Sequence, residues 1–132
     1  MVDAAELAAI PLFSSLEEAD LREVGGWFEE QSAGEGVPLT GEGSVGYKFF
    51  VLRDGSASVS ADGVDLAELG PGDFFGEMAL LGSGRRTATV TTTSPVKLLV
   101  MFGTEFRRMQ ETHPEVTARL EEAMRNRIAT PD

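Results

Sequence analysis

The most informative stretch of the sequence is residues 72–90, which reads GDFFGEMALLGSGRRTATV. Its pattern predicts a glycine turn that leads into a one-turn helix, then a glycine-rich loop, then a β-strand that begins with an arginine. The missing side chain at Gly76 would let a ligand approach the backbone, and the N–H groups at the start of the short helix would carry the positive end of its dipole. These features outline an anion site that a phosphate fits.

Two charged side chains in this stretch suit different parts of one ligand. Arg86 could donate two hydrogen bonds to a phosphate, a charge-assisted contact worth roughly 1.5–3 kcal/mol. Glu77 would repel a phosphate, but its carboxylate can accept a hydrogen bond from a hydroxyl group, such as that of a ribose. A sugar phosphate therefore satisfies both residues. Each also has a simpler interpretation, because glutamate favours a helix start and an arginine at a strand end is usually a solvated charge.

The surrounding residues 37–102 consist of short apolar or alternating runs separated by turns that contain glycine. This pattern predicts a β-sandwich or barrel. Strands are predicted at residues 47–52, 56–60, 64–69, 86–93 and 96–102. In the second of these, Ala57 and Val59 alternate with serines, so one face is expected to be buried and the other solvated. Asp54-Gly55 and Asp62-Gly63 are dipeptides of the kind that closes two-residue hairpins, and the last two strands form a further predicted pair around Ser94-Pro95.

Helices are predicted before this β-region. Ser14 and Ser15 are each followed three residues later by a glutamate, which is the spacing of a capping box at a helix start. The apolar residues of 16–28 then follow an approximately helical spacing, and residues 11–13 form a short linker with an apolar plug. Trp27 is expected to pack from this helix against the β-region.

Helices are also predicted after Gly103, first a short segment and then an amphipathic helix that begins near Pro114. His113 is expected in the turn between them, in a structural or solvated role. Four apolar residues of the last helix are spaced at intervals of four, and their simplest interpretation is a packed face. They are Val116, Leu120, Met124 and Ile128.

Composition excludes several classes of function. The chain has 132 residues, no cysteine and one histidine, so we expect one domain (residues 1–132), no metal site and no disulfide. The net charge of −11 would repel nucleic acid, so direct binding of DNA or RNA is not expected. No apolar run approaches the roughly 20 residues that cross a bilayer, and the N-terminus lacks a signal-peptide pattern. A cytoplasmic location without membrane association is expected.

Residues 75–81 (FGEMALL) and 86–90 (RTATV) resemble the phosphate-binding cassette of the cyclic nucleotide-binding domain family. This family includes the catabolite activator protein, protein kinase A regulatory subunits and cyclic nucleotide-gated channels. Further similar segments lie at residues 11–13, 39–43, 47–55 and 70–73, so the resemblance covers about residues 10–128. It implies a mainly β fold with flanking helices: an eight-stranded antiparallel jelly-roll barrel with an N-terminal helix, a short phosphate-binding helix and two C-terminal helices.

The resemblance also implies a role for individual residues. Glu77 would bind the ribose 2′-hydroxyl, Gly76 and the backbone N–H groups of Met78 and Ala79 would line the cyclic phosphate, and Arg86 would neutralise the phosphate. Thr87 would lie beside the phosphate and base, and family members that prefer cyclic GMP often have threonine at this place. Arg85 stands where the family often has proline. In this family the final helix moves over the base as a lid, so Leu120, Met124 or Ile128 could cap a bound nucleotide.

Three functions were compared. The adopted interpretation is a cyclic AMP or cyclic GMP sensor, not an enzyme, that needs no cofactor and signals through movement of its C-terminal helix. A metal-dependent enzyme on a similar β-fold would need several histidines. A degenerate scaffold that binds no nucleotide is disfavoured by the intact Glu77 and Arg86. No helix-turn-helix follows the last helix, so the effector is expected to be a separate protein or an additional domain, and the C-terminal helix could also form a homodimer.

Overall fold

The computed structural model describes residues 2–40, 48–61, 63–76 and 89–129. Within these residues the helices are α1 (Ala4–Ala8), a 3₁₀-helix (Pro11–Phe13), α2 (Glu18–Gly25), α3 (Gly103–Thr112) and α4 (Pro114–Ala129). The strands are β1 (Glu29–Ala33), β2 (Pro38–Thr40), β3 (Lys48–Asp54), β4 (Ala57–Ala61), β5 (Val64–Leu69), β6 (Phe74–Phe75), β7 (Thr89–Thr92) and β8 (Val96–Phe102). The order of helices, strands and helices agrees with the prediction.

The strands form two four-stranded antiparallel sheets. The first sheet, here called sheet I, has the order β1-β8-β3-β6, and sheet II has the order β2-β7-β4-β5. Apart from β4 and β5, which form a hairpin, the neighbouring strands in each sheet are not consecutive in the chain, as in a jelly roll. The prediction of a mainly β jelly-roll fold with flanking helices is therefore confirmed. The predicted phosphate-binding helix falls in residues 77–88, outside the described residues.

The two central strands of sheet I, β3 and β8, have buried side chains on both faces of the sheet, since alternate residues of a strand point to opposite sides and consecutive residues of these strands are buried. Phe49 and Val51 of β3 belong to a helix-side core that also contains apolar residues of the helices. Phe50 and Leu52 belong to an inter-sheet core between sheets I and II. Burial on both sides explains why β3 and β8 are continuous apolar runs rather than alternating ones.

The two cores are defined by their buried members. The helix-side core consists of Val2, Leu7, Ile10, Leu12, Phe13, Leu16, Leu21, Val24, Phe28, Phe49, Val51, Leu99, Met101, Phe106, Met109, Val116 and Leu120. The inter-sheet core consists of Phe50, Leu52, Ala57, Leu69, Phe75, Val90, Val96, Leu98 and Val100.

One of the two predicted hairpins is wrong. Asp54-Gly55 joins β3 to β4, which lie in different sheets, so it forms a corner rather than a hairpin. Gly55 has φ +91°, and a Cβ there would lie 2.3 Å from the carbonyl oxygen of Pro95. The hairpin between β4 and β5 is confirmed by the pairing of Ala61 with Val64.

The corner at Gly55 packs against a second corner, which carries the chain from β7 in sheet II to β8 in sheet I. The Ser56 N–H donates to Ser94 Oγ at 2.9 Å, and the Thr93 N–H donates to the Ser56 carbonyl oxygen at 3.0 Å. The predicted strands around Ser94-Pro95 exist, but they do not pair with each other. The contact between the two corners is the reason, because it turns both strands into opposite sheets.

The predicted capping box is also wrong. The Ser14 hydroxyl donates to the Pro11 carbonyl oxygen at 2.9 Å, so Ser14 ends the 3₁₀-helix, and α2 begins only at Glu18. Residues 11–13 carry the expected apolar plug, since Leu12 and Phe13 are buried. The sequence did not predict α1, whose start is capped by Asp3 Oδ1 accepting from the Glu6 N–H at 2.8 Å.

The C-terminal helices confirm the predicted position of His113, which lies between α3 and α4. It is buried, and its Nε2 lies 3.0 Å from Glu23 Oε1. Trp27 follows α2 instead of lying within it and packs on the helix-side core. Its ring lies 6.1 Å from the His113 ring and 5.8 Å from the Arg108 guanidinium carbon. Within the described residues, no helix combines the length and apolar character that crossing a bilayer requires.

Candidate functional site

The chain reaches the candidate site through a turn at residues 70–73 that is hydrogen-bonded to β3. Asp73 Oδ2 accepts from the Gly70 N–H at 2.8 Å, which closes the turn. The Leu52 N–H donates to the Asp73 carbonyl oxygen, and the Gly72 N–H donates to the Leu52 carbonyl oxygen, both at 2.8 Å. Because Leu52 is fully buried, these bonds hold the start of the site against a rigid strand.

Gly76 lies at the end of this anchored segment. Phe75, just before it, pairs with Phe50 in β3, and the two rings stack at 4.7 Å between centroids. Gly76 is half-buried and has φ +93°, a conformation that residues with a Cβ rarely adopt. The prediction that a glycine is needed here is consistent with this backbone, which turns the chain sharply just before Glu77.

The chain returns from the site in β7, which starts at Thr89 and lies in sheet II. This strand is held near its end by Thr92, whose hydroxyl accepts from the Val37 N–H at 2.8 Å and donates to the Gly34 carbonyl oxygen at 2.5 Å. The two ends of residues 77–88 are therefore fixed on opposite sheets, Gly76 beside sheet I and Thr89 in sheet II.

Apolar side chains of the inter-sheet core lie close to both of these ends. Phe75 and Val90 come from the flanking strands, and Leu69 belongs to the same core, with the half-buried Val59 packed against it. They could form the apolar wall of a site for a flat base. The sequence analysis did not assign them a site role. The alternation of Val59 with serines indicated an inward-facing side chain, but not which residues it would meet.

Most residues with predicted ligand contacts fall outside the described residues, and Gly76 is the exception. The others are Glu77, Met78, Ala79, Arg86 and Thr87, together with the neighbouring Arg85. Their proposed roles stay predictions.

The lid candidates all belong to α4. Leu120 is fully buried in the helix-side core, on the face of sheet I opposite the inter-sheet core. Met124 and Ile128 lie further along the helix, and their side chains are outside the described set. In this arrangement Leu120 packs as a core residue, which is the simpler of its two interpretations.

Electrostatic features of the described residues are modest. No group of three or more histidine, aspartate or glutamate side chains in this part of the chain could hold a metal ion. The hydrogen bond from the Thr104 hydroxyl lowers the pKa of Glu105 at the start of α3. Glu105 is only half-buried and lies in the first turn of α3, away from the candidate site.

Comparison with known families gives a match that covers most of the chain. Residues 30–113 match the family model of the cyclic nucleotide-binding domain. This span begins in β1, includes both sheets and the whole of residues 72–90, and ends at His113. It therefore coincides with the part of the chain that the site requires.

Curated relatives include two kinds of protein. A cyclic nucleotide-gated potassium channel of Rhizobium etli is 31% identical over 125 residues, which cover 95% of this chain and 35% of the channel. A cAMP-dependent protein kinase regulatory subunit of Eremothecium gossypii is 36% identical over 104 residues, which cover 78% of this chain and 23% of the subunit. The chain thus spans about a third or less of the length of these relatives.

Solved structures share the fold. The structure of cAMP-bound PfPKA-R (141–441) has a TM-score of 0.86 at 25% identity and covers 93% of this chain, which matches 43% of that one. The catabolite activator protein of Thermus thermophilus has a TM-score of 0.80 at 27% identity, covering 90% of this chain and 58% of that one.

Proposed function

The chain belongs to the cyclic nucleotide-binding domain family, and we propose that it is a regulatory module that binds cyclic AMP or cyclic GMP between its two sheets. The proposal includes no catalytic step. Its ligand is released unchanged, and binding is passed on through α4 to an effector protein or to a further domain. The relatives are named as channels and kinase regulatory subunits, which supports a regulatory module over an enzyme.

The observation that carries this proposal is the fixed geometry at both ends of residues 77–88. Gly76, in a left-handed backbone conformation, follows a segment that is hydrogen-bonded to β3. Thr89 starts a strand of the opposite sheet. A segment held in this way can keep its backbone N–H groups in place before the ligand arrives, which lowers the entropy lost on binding.

The residue chemistry fits a cyclic nucleotide better than other anions. In the proposal, Arg86 and the N–H groups of Met78 and Ala79 bind the cyclic phosphate, and Glu77 accepts a hydrogen bond from the ribose 2′-hydroxyl. The net charge of −11 opposes an anionic ligand, so affinity depends on these placed donors. The base would lie against the apolar residues near Phe75 and Val59.

The choice between the two nucleotides rests on limited observations. Thr87 follows Arg86 and favours cyclic GMP through its hydroxyl, whereas a similar solved structure holds cAMP. We therefore propose both nucleotides as ligands and leave their order of affinity to measurement.

Calorimetric titration tests the function directly. The purified chain is titrated with cyclic AMP, cyclic GMP and AMP at constant ionic strength. We expect heat of binding with at least one cyclic nucleotide and much weaker binding of AMP, whose phosphate is not cyclic. No heat with either cyclic nucleotide would refute the sensor, and equal affinity for AMP would refute its cyclic specificity.

Two adjacent arginines provide a matched pair for the site. Arg86→Ala should weaken binding by roughly ten- to hundredfold, because a hydrogen bond to a charged group contributes about 1.5–3 kcal/mol. Arg85→Ala removes the same charge from the neighbouring position. Adjacent residues of a strand face opposite ways, so on the strand predicted from the sequence Arg85 would face away from the ligand, and its loss should change affinity far less. Equal losses in both variants would mean that only net charge matters.

The proposed role of Glu77 has its own test. Glu77→Gln should weaken binding of a cyclic nucleotide with a 2′-hydroxyl, because an amide is a weaker acceptor than a carboxylate. The same variant should bind the 2′-deoxy nucleotide about as well as, or better than, the unmodified chain does, since no hydroxyl is lost and a negative charge is removed. An equal loss for both nucleotides would place Glu77 away from the ribose.

A further inference from the structure

The first two turns of α4 are tied to the N-terminal helices by polar contacts. Arg119 Nη1 donates to the Pro11 carbonyl oxygen at 3.1 Å and to the Leu12 carbonyl oxygen at 3.2 Å. Both acceptors belong to the 3₁₀-helix, whose carbonyl end carries partial negative charge. Arg119 therefore links α4 to Pro11 and Leu12, which lie 108 and 107 residues earlier in the sequence.

A second polar contact lies just before α4. His113 Nε2 and Glu23 Oε1 are 3.0 Å apart, and His113 Nδ1 lies 3.8 Å from Glu115 Oε1. Glu23 belongs to α2 and Glu115 to the first turn of α4. The His113 side chain is only 6% exposed and the Glu23 side chain is 53% exposed, so their contact links the α3–α4 junction to α2 at the edge of the protein surface.

Apolar packing fixes the same short stretch. Val116 and Leu120 are both 0% exposed and belong to the helix-side core together with Leu12 and Phe13. Burying one such side chain contributes roughly a ten- to hundredfold factor to an equilibrium constant. Undocking both would therefore cost roughly a hundred- to ten-thousandfold, most of which lies above the roughly 5- to 150-fold by which a ligand typically shifts a coupled equilibrium.

We propose that residues 113–120 are a fixed anchor for α4, that Arg119 positions this anchor, and that movement of α4 on ligand binding begins after Leu120. The movement itself rests on the proposed function, whereas the anchor does not. The proposal assigns Leu120 to the anchor, so the lid role passes to the later part of α4, which includes Met124 and Ile128.

A substitution at Thr117 should affect the anchor in the opposite direction from the loss of the Arg119 side chain. Its Oγ1 is buried and has no hydrogen-bond partner within the described residues. A buried hydroxyl without a partner destabilises the arrangement that buries it. Thr117→Val removes the hydroxyl at nearly constant volume and should strengthen the anchor, whereas Arg119→Ala should weaken it.

The chain has no cysteine, so introduced cysteines can be spin-labelled without background. One label at Glu17→Cys marks the start of α2. The second label is placed either at Ala118→Cys, where it reports on the anchor, or at Ala129→Cys, where it reports on the end of α4. Glu17 and Ala118 are exposed. Distance distributions are measured by double electron–electron resonance with and without cyclic AMP and cyclic GMP.

Without nucleotide, Arg119→Ala should broaden the 17–118 distribution, Arg119→Lys should restore part of its sharpness, and Thr117→Val should keep it narrow. Arg22→Ala is the matched control, since that exposed arginine pairs with Glu18 on its own helix. An unchanged distribution in Arg119→Ala would overturn the proposal that Arg119 positions the anchor.

With nucleotide, the 17–129 distribution should shift while the 17–118 distribution stays in place. A shift of equal size at both positions, or no shift at residue 129 in a chain that calorimetry shows to be saturated, would overturn the proposed start of the movement. If calorimetry shows no binding, the proposed function fails, and the Arg119 variants still decide whether the anchor exists.

Discussion

The two faces of sheet I carry two different kinds of core. On one face Phe49 lies beside the rings of Phe28, Phe74 and Phe106, at centroid distances of 5.3–6.5 Å, and helices cover it. On the other face Phe50 stacks on Phe75, one residue before Gly76. Neighbouring residues of one strand thus belong to a closed helical core and to the wall of a candidate ligand site.

Within a single strand, residues that pack under the helices therefore alternate with residues that face the candidate ligand site. The helix-side core contains the docked part of α4, with Val116 and Leu120, and the inter-sheet core contains the residues that flank segment 77–88. Among the described residues, β3 and β8 contribute side chains to both cores, so these two strands separate the helices from the candidate site.

The largest expected effects come from Phe49→Ala and Phe50→Ala. Both residues are buried, so each variant should lose about 3–5 kcal/mol of unfolding free energy. They should differ in nucleotide affinity, since only Phe50 lies on the site side of the sheet. Urea unfolding measures the first quantity, and calorimetry at a temperature where both variants are folded measures the second.

The pair serves as its own control. Equal loss of stability with a larger loss of affinity in Phe50→Ala supports the division of the two faces. If Phe49→Ala weakens nucleotide binding as much as Phe50→Ala does, the two cores act as one unit and the comparison fails.

The next effect concerns the corner that carries the chain from one sheet to the other. Gly55→Ala should cost more than about 2 kcal/mol, because the left-handed backbone disfavours a Cβ and the added atom would meet Pro95. Gly63 also has a positive φ, +76°, but no heavy atom lies within 4 Å of a Cβ built there. Gly63→Ala should therefore cost about 1 kcal/mol.

Urea unfolding of the two glycine variants distinguishes the corner from the hairpin. Equal losses would mean that backbone strain alone determines the cost and that the contact between the corners contributes nothing. The comparison also bears on fold prediction. Asp54-Gly55 and Asp62-Gly63 have the same local chemistry, and only the distant Ser94-Pro95 makes the first a corner.

Strand positions followed from local patterns, whereas strand pairing followed from them only for the β4–β5 hairpin. Residues 64–69 and 96–102 were predicted with the observed bounds, because turns and apolar runs are local features. The start of α2 was predicted too early, at Ser14, because the Ser14 hydroxyl donates to the Pro11 carbonyl oxygen and does not cap a helix that begins there. A capping-box spacing does not show whether the serine oxygen will accept from a following N–H group or its hydroxyl will donate to a preceding carbonyl oxygen.

The candidate site was predictable where it depends on backbone chemistry. Gly76 was singled out because its missing side chain would let a ligand approach the backbone, and that contact stays a prediction. Its φ of +93° is a separate, conformational reason for glycine at this position. The apolar wall that includes Val59 and Leu69 was not predictable, because it requires residues from separate strands to meet between the two sheets. The same limit applies to Arg119, whose acceptors lie at the opposite end of the chain.

A smaller effect is expected for the polar link at the helix-side core. His113→Ala should cost about 1–3 kcal/mol, from a lost hydrogen bond and a small cavity. In a double-mutant cycle with Glu23→Ala the coupling should be only about 0.5–1 kcal/mol, since the Glu23 side chain is 53% exposed. Coupling near zero would show that His113 acts through packing with Trp27 alone.

The smallest effect is expected at the edge of the helix-side face, where apolar packing ends. Arg53 Nε lies 3.1 Å from Glu6 Oε2, with both side chains about one-third exposed, beside an open groove of about 300 Å³ that also contains Glu30 and Lys97. A double-mutant cycle of Arg53→Ala and Glu6→Ala should give a coupling of roughly 0.2–1 kcal/mol. Because salt screens exposed charges, unfolding in 0.5 M sodium chloride should remove most of it, whereas the Phe49→Ala loss should persist. A coupling that survives high salt would mean that this ion pair is desolvated and that the helix-side core extends beneath α1 as far as the groove.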